Sequence, residues 1–481
     1  MFNDEQVTKK TFSFIFIIKA LAVPAFYFLF VKLYGGIEKF DAGKFYADAK
    51  VMNHLAFVNF PEYLKMLFGL QDDSEGSYFY KTCIETTFNW DNGASKNYMY
   101  NDNRIVIRIH SLLHFIAFNS YFVHGLFSCF FSLIGLTYLY KSFKEFFSGK
   151  EIWLLLTICF FPTLWLYTGA VLKEGLTIFL LGCSIYNIKK IIGLRINIFN
   201  ILWMIILIFM SLLLKPYILF YALVYFSLFF GIHTFYKGKN KTLLFLSSLI
   251  IIVLIANFAS ILIKHSSFKK AAFEREKEFA DLAKGGIFLL DSVKFVRLEY
   301  NYNLVKKVPG KKNYQTIKKN VPYTYWENSH QQDTLYCIAN MDTLTQYALI
   351  YDLPAAGSNF DIGINQHHLF VSICKSLYYT LANPFFYNAK KLMQLFASVE
   401  NLILIVSIFI VLIGIVRNKK DGFIPLAFIF FGLSLFIVIG ITTPNSGALL
   451  RYRAPAAIFI IVASLYYVQG FKRINPAKNS V

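Results

Sequence analysis

Long apolar runs separated by short basic connections make up most of this chain, and two polar stretches, at residues 36–108 and 265–396, interrupt them. The runs fall at about 11–34, 121–140, 152–168, 174–188, 198–214, 217–236, 242–263, 399–416, 423–441 and 454–469, each near the length that crosses a bilayer as a helix. This pattern predicts an all-α polytopic membrane protein of about ten transmembrane helices with two outward-facing insertions. Five segments follow: 1–35, a cytoplasmic N-terminus and first helix; 36–120, a first outer loop; 121–264, transmembrane helices; 265–398, a large outer insertion; and 399–481, the last helices and a cytoplasmic tail.

The insertions have a pattern of their own. Residues 61–68 predict a short amphipathic helix on the membrane surface, and a second helix begins near Arg104. In the large insertion, 273–282 reads as a charged helix, 306–319 as a basic loop, 352–366 as an irregular Pro/Gly/Asn-rich stretch and 384–398 as an amphipathic return to the membrane. No internal repeat or low-complexity linker is found. The first apolar run is interrupted by Lys19, lacks a small-residue cleavage site and so reads as a retained helix, kinked at Pro24.

Composition agrees with a lipid-embedded core: 56% of residues are hydrophobic and 16% charged, with mean hydropathy +0.49. The formal charge of +20 raises the question of nucleic acid. Its placement answers it, because every connection assigned to the cytoplasm is basic: Lys141, Lys144 and Lys150; Lys189, Lys190 and Arg195; Lys237, Lys239 and Lys241; Arg417, Lys419 and Lys420; and the tail. No nucleic-acid partner is expected. Cys83, Cys337 and Cys374 lie outside the spans, where two of the three could pair, and no metal-ligand spacing exists.

Candidate chemistry gathers at the outer ends of the spans. Asp41, in the run Phe40-Asp41-Ala42-Gly43-Lys44-Phe45-Tyr46-Ala47-Asp48, is either the N-cap of an interfacial helix or a general base at headgroup level. Arg104 and Arg108, four residues apart, either snorkel to headgroups or fork onto a lipid phosphate. His110, His114 and His124 follow without a third ligand at a recognisable spacing and read as structural. Lys173 and Glu174 form an adjacent opposite-charge pair at a tight turn, either reaching water or serving a site. Arg451 and Arg453, after Asn445, are outer cations against the usual bias and call for anions. Lys215-Pro216 adds a weaker outer cation. Tyr46 and Asp48 are further candidates. Tyr78, Phe79, Tyr80, Trp90, Tyr323, Tyr325 and Trp326 are available to stack on sugar rings, although interfaces enrich Tyr and Trp anyway.

At these residues the chain resembles the membrane glycosyltransferases of the GT-C fold and, more loosely, bacterial polysaccharide polymerases. The shared elements are an acidic residue in the first outer loop, a Lys-Glu-Gly turn at 173–175 and a late Arg-Tyr-Arg-Ala-Pro segment at 451–455. The usual Asp-Glu pair of that family is absent, since Ala42 follows Asp41. The resemblance implies a polyprenyl-phosphate-linked sugar donor, a glycan or lipid acceptor, a membrane-lipid environment and a place in the bacterial cytoplasmic membrane with both termini inside. It puts Asp41 in the place of the catalytic carboxylate and Arg451 in that of a lipid-phosphate contact. No cofactor is predicted; a divalent metal stays open because Asp41, Asp48 and Asp102 could approach one another. Two alternatives remain, a flippase for lipid-linked saccharide and a noncatalytic partner in envelope assembly.

Overall fold

The computed structural model describes residues 7–74, 76–90, 102–194, 196–264, 269–270, seven strands between 287 and 352, 360, 362–363, 368–389, 392–418 and 422–468. The helices are α1 (Lys9–Ala20), α2 (Ala22–Tyr34), α3 (Asp41–Val58), α4 (Phe60–Phe68), α5 (Tyr78–Thr82), α6 (Asp102–Ala117), α7 (Tyr121–Phe143), α8 (Glu151–Phe160) and α9 (Pro162–Tyr167). They continue as α10 (Lys173–Ile192), α11 (Ile198–Leu214), α12 (Pro216–Phe235), α13 (Lys241–Lys264), α14 (Leu369–Leu381), α15 (Leu392–Asn418), α16 (Phe423–Thr442) and α17 (Ser446–Leu465).

Among the described residues, eight helical segments are long and apolar enough to cross a bilayer: Lys9–Leu33, Tyr121–Phe147, Lys173–Ile192, Pro216–Phe235, Lys241–Leu262, Leu392–Arg417, Phe423–Thr442 and Ser446–Leu465. The protein is thus a multi-pass membrane protein with an all-helical membrane body. The other two expected spans are shorter helices. The run at 152–168 breaks into α8 and α9 at Pro162, which lacks the N–H that would continue α8. Likewise α11 has 17 residues. The first span breaks at Leu21, three residues before Pro24, because the proline cannot donate to the preceding turn.

The centre of the bundle is the crossing of α7 and α10. A Cβ on Gly182 would stand 1.9 Å from the Gly135 carbonyl oxygen, so only glycine allows the two backbones to come this close. At the rim, Ile250, Ile251, Leu254, Ile255 and Phe258 of α13 are exposed, as side chains facing lipid should be.

The first insertion packs by helical periodicity. Ala42, Phe45, Ala49 and Met52 of α3 form a buried stripe, and Arg104, Ile107, Ser111 and His114 form one on α6, the helix packed against it. The amphipathic helix expected at 61–68 is α4, capped by the Asn59 side chain and ended by Gly69 at φ 76°.

The large insertion departs from expectation. It carries a seven-stranded antiparallel sheet of order β3-β4-β7-β1-β2-β5-β6: β1 (Ile287–Leu289), β2 (Lys294–Arg297), β3 (Val305–Lys307), β4 (Tyr314–Ile317), β5 (Val321–Ser329), β6 (Thr334–Leu344) and β7 (Leu349–Asp352). The basic stretch 306–319, expected as a loop, contributes to β3 and β4 because Tyr314, Thr316 and Ile317 favour a pleated strand over a free loop. Residues 273–282 and most of 352–366 lie outside the described residues. The return helix expected at 384–398 starts at Leu392 and runs on into the span as α15. Phe360 donates from its backbone N–H to the Pro444 carbonyl at 2.9 Å and Asp41 accepts from Arg451, so both insertions meet the bundle at the end where α17 begins.

Candidate functional site

Five helices begin at that end: α3 with Asp41, α6 with Asp102, α10 with Lys173 and Glu174, α12 just after Lys215, and α17, with Arg451 in its second turn. Each N-terminus carries the partial positive end of its helix dipole. Between them lies a cleft of about 160 Å³ lined by Asp41, Phe45, Asn89, Asn103, Leu172, Lys173, Glu174, Arg451 and Tyr452.

The local chain explains how each group reaches the cleft. Asp41 is the first residue of α3, while Phe40 holds the N-cap position expected of Asp41, and the helix doubles back tightly on the turn Ile37–Lys39. A Cβ on Gly43 would fall 1.7 Å from the Ile37 carbonyl oxygen, so glycine there lets α3 start where it does and fixes the backbone of Asp41. Lys173 and Glu174 follow the buried turn Thr168–Leu172 and open α10, where an acidic residue meets the positive end of the helix. Lys215 is held in front of Pro216. Asn445 caps α17, its side chain accepting from the Ala448 N–H at 3.0 Å, and so sets the position of Arg451.

These side chains form one charge network. Arg451 Nη1 donates to Asp41 Oδ2 at 3.0 Å and Nη2 to the Tyr452 hydroxyl at 3.1 Å. Its Nε lies 3.2 Å from Glu174 Oε1, an ion pair without hydrogen-bond alignment. Lys215 Nζ donates to the same Glu174 oxygen at 3.3 Å and stands 3.6 Å above the Tyr452 ring. Lys173 Nζ pairs with Asp102 Oδ1 at 2.6 Å. Among the described residues, three cations thus face three carboxylates. Depth separates the carboxylates: the Glu174 side chain is 3% exposed, that of Asp102 36% and that of Asp41 55%.

Of the residues singled out by sequence, Asp41, Lys173, Glu174 and Arg451 line the cleft and Lys215 joins their network; the others serve elsewhere. Arg104 is buried, pairs with Asp73 at 2.7 Å, donates through Nε to the Trp90 carbonyl and lies over the Trp90 ring, so its charge is used inside the first insertion. Arg108 donates to the Met66 carbonyl at 2.8 Å and flanks the same ring; burial, with Arg104 nearby, brings its pKa down to about 10. Asp48 is fully buried and accepts the backbone N–H groups of Phe88 and Asn89 at 2.8 and 2.7 Å. Desolvation pushes its pKa up to about 6 despite those bonds and Lys44.

Tyr46 donates to the Asn119 carbonyl and packs on His114, Tyr121 and His124. His110 and His124 face each other, Nδ1 to Nδ1 at 2.9 Å; burial and the two neighbouring histidines hold His110 well below its usual pKa. Arg453 is fully buried, donates to the Thr380 carbonyl and lies 3.7 Å from Glu400, whose carboxylate accepts the Thr163 N–H and hydroxyl. It joins α17, α14, α15 and α9.

Sequence reasoning gave no site role to Phe45, Asn89, Asn103 or Tyr452, and it considered Asp102 only as a possible metal neighbour. For all of these but Asn89 the available signal was position at or near the start of a helix on the insertion side. Phe79 and Trp90 are buried against each other rather than presented as stacking surfaces. Cys83 and Cys374 carry free thiols. Among the described residues, no group of three or more His, Cys, Asp or Glu side chains is arranged to hold a metal ion. No family model, curated protein or solved structure matches this chain.

Proposed function

We propose that this protein is a membrane-embedded glycosyltransferase or polysaccharide polymerase that takes its sugar from a polyprenyl-phosphate or -pyrophosphate carrier at the outer face of a bacterial cytoplasmic membrane, with both termini inside. The observation that carries this reading is the cleft itself. It sets a half-exposed carboxylate 3.0 Å from a part-buried arginine, with Lys173 and Lys215 alongside, at the end of the bundle where five helices begin.

The chemistry needs a base on the acceptor and positive charge on the leaving group. Asp41 takes the proton of the acceptor hydroxyl, whose oxygen forms the new bond to the anomeric carbon. The bond from that carbon to the phosphate oxygen breaks, and its electron pair leaves with the phosphate, where Arg451 with Lys173 or Lys215 stabilises the charge. The helix N-termini add to the same field. The basic connections at the opposite end support the orientation by the positive-inside rule.

The test is reconstitution in proteoliposomes with a polyprenyl-phosphate-linked hexose and a soluble alcohol acceptor, following both cleavage of the sugar–phosphate bond and movement of intact donor. Wild type should cleave. Arg451→Ala should bind polyprenyl phosphate about ten- to a hundredfold more weakly, as loss of a charge-assisted contact implies. Movement of donor without cleavage would replace this reading with a flippase.

A further inference from the structure

An anionic ligand meets a difficulty in this cleft: each cation already has a carboxylate partner. The geometry of Arg451 shows where the exchange can occur. Its Nε edge faces Glu174 and its Nη2 is held by the Tyr452 hydroxyl, both inside the bundle. Nη1 is turned the other way and is occupied by Asp41, the most exposed of the three carboxylates. Glu174 cannot leave without burying an unpaired charge. Asp41 can, because its side chain is half in water and only its backbone is fixed, by the close approach at Gly43.

We infer that Asp41 is the resident of an anion seat on Arg451 Nη1, displaced when a phosphate oxyanion binds there; as an account of the reaction this rests on the transferase reading. The seat takes a phosphate monoester or diester, and the same exchange uncovers the carboxylate. While it is paired, Asp41 Oδ2 is occupied by the Arg451 guanidinium; once displaced, that oxygen is free to accept a proton from an acceptor hydroxyl beside the phosphate that displaced it. Donor binding thereby readies the base.

The protein in lipid nanodiscs tests this with three probes, farnesyl phosphate, inorganic phosphate and uncharged farnesol, on wild type, Asp41→Asn and Glu85→Gln. Removing the resident should tighten farnesyl phosphate by about tenfold in Asp41→Asn, while Glu85→Gln, which deletes an equal charge on the same insertion but outside the network, changes it less than about threefold. Farnesol binding should not change. A gain confined to farnesyl phosphate assigns the seat to a lipid headgroup, and an equal gain for inorganic phosphate assigns it to free phosphate. Equal tightening by both variants means general electrostatics and overturns the seat, as does no tightening in Asp41→Asn. Asp41→Ser repeats the comparison should Asp41→Asn not fold. Tighter binding in Asp41→Asn with no transfer by wild type leaves the seat standing and rejects the transferase; unchanged binding with transfer lost does the reverse.

Discussion

Glu174 holds two cations with one oxygen, and its burial makes that arrangement obligatory: without it Arg451 and Lys215 would be left charged in a low-dielectric site, a loss of about 3–5 kcal/mol for a broken buried pair. Asp48 illustrates the opposite balance. Its two N–H bonds favour the ionised form, but burial outweighs them and raises the pKa from 3.8 to about 6. A raised carboxylate gives stability that is full below the unfolded pKa and is lost as pH rises through the folded one. Thermal stability should therefore fall by roughly 2–3 kcal/mol between about pH 4 and 7, and Asp48→Asn should flatten that dependence; an unchanged slope in melting curves across this range would contradict it. At this scale the sequence was partly legible. Asp41, Lys173, Glu174 and Arg451 stand out because charges at span ends need partners: Arg451 pairs with Asp41 and Glu174, and Lys173 with Asp102. Arg104, Arg108 and Arg453 stand out for the same reason but are satisfied locally, by Asp73, by carbonyl oxygens and by Glu400, which spacing along the chain cannot reveal.

Elements were easier to place than their seams. Apolar length identifies the spans, and Pro162 and Pro24 account for the two interruptions. Hydropathy says nothing of which helices touch, and that depends on small residues such as Gly135 and Gly182. Gly182→Val should cost the protein its fold in detergent, since the added Cβ would meet the Gly135 carbonyl at 1.9 Å, whereas Gly231→Val should be tolerated because its Cβ meets nothing within 4 Å. Size-exclusion profiles and melting temperatures of the two variants check this; equal behaviour would mean that the α7–α10 crossing is looser than described. The sheet was missed for a different reason. In β5 the run Val321-Pro322-Tyr323-Thr324-Tyr325-Trp326 has strand-forming residues, but its aromatics drew notice only as possible stacking surfaces for sugar rings. Pro322 lies outside the pairing with β2 and next to a register shift between Tyr323 and Tyr325, a position where a strand accepts proline.

For the whole molecule, the two insertions and the cleft lie at one end of the bundle and the short basic connections at the other, so orientation decides which compartment the cleft faces. In intact cells, an impermeant thiol reagent should label a cysteine placed at Lys312 and spare one at Lys239; the reverse pattern would invert the topology. The cleft exists only because helices far apart in sequence start at the same level, which is why spacing alone could nominate its residues but not assemble them. Asp41 and Arg451 are 410 residues apart and 3.0 Å from each other. The central claim is that this carboxylate is the base for sugar transfer, and the most direct measurement is the transfer rate of Asp41→Asn against Glu85→Gln in proteoliposomes with lipid-linked saccharide. Glu85 is an exposed carboxylate of the same insertion, whereas Asp73 is committed to buried Arg104 and makes a poor control. With both variants folded, Asp41→Asn should lose about 10²–10⁴ in rate and Glu85→Gln should match wild type; full activity in Asp41→Asn would contradict the assignment.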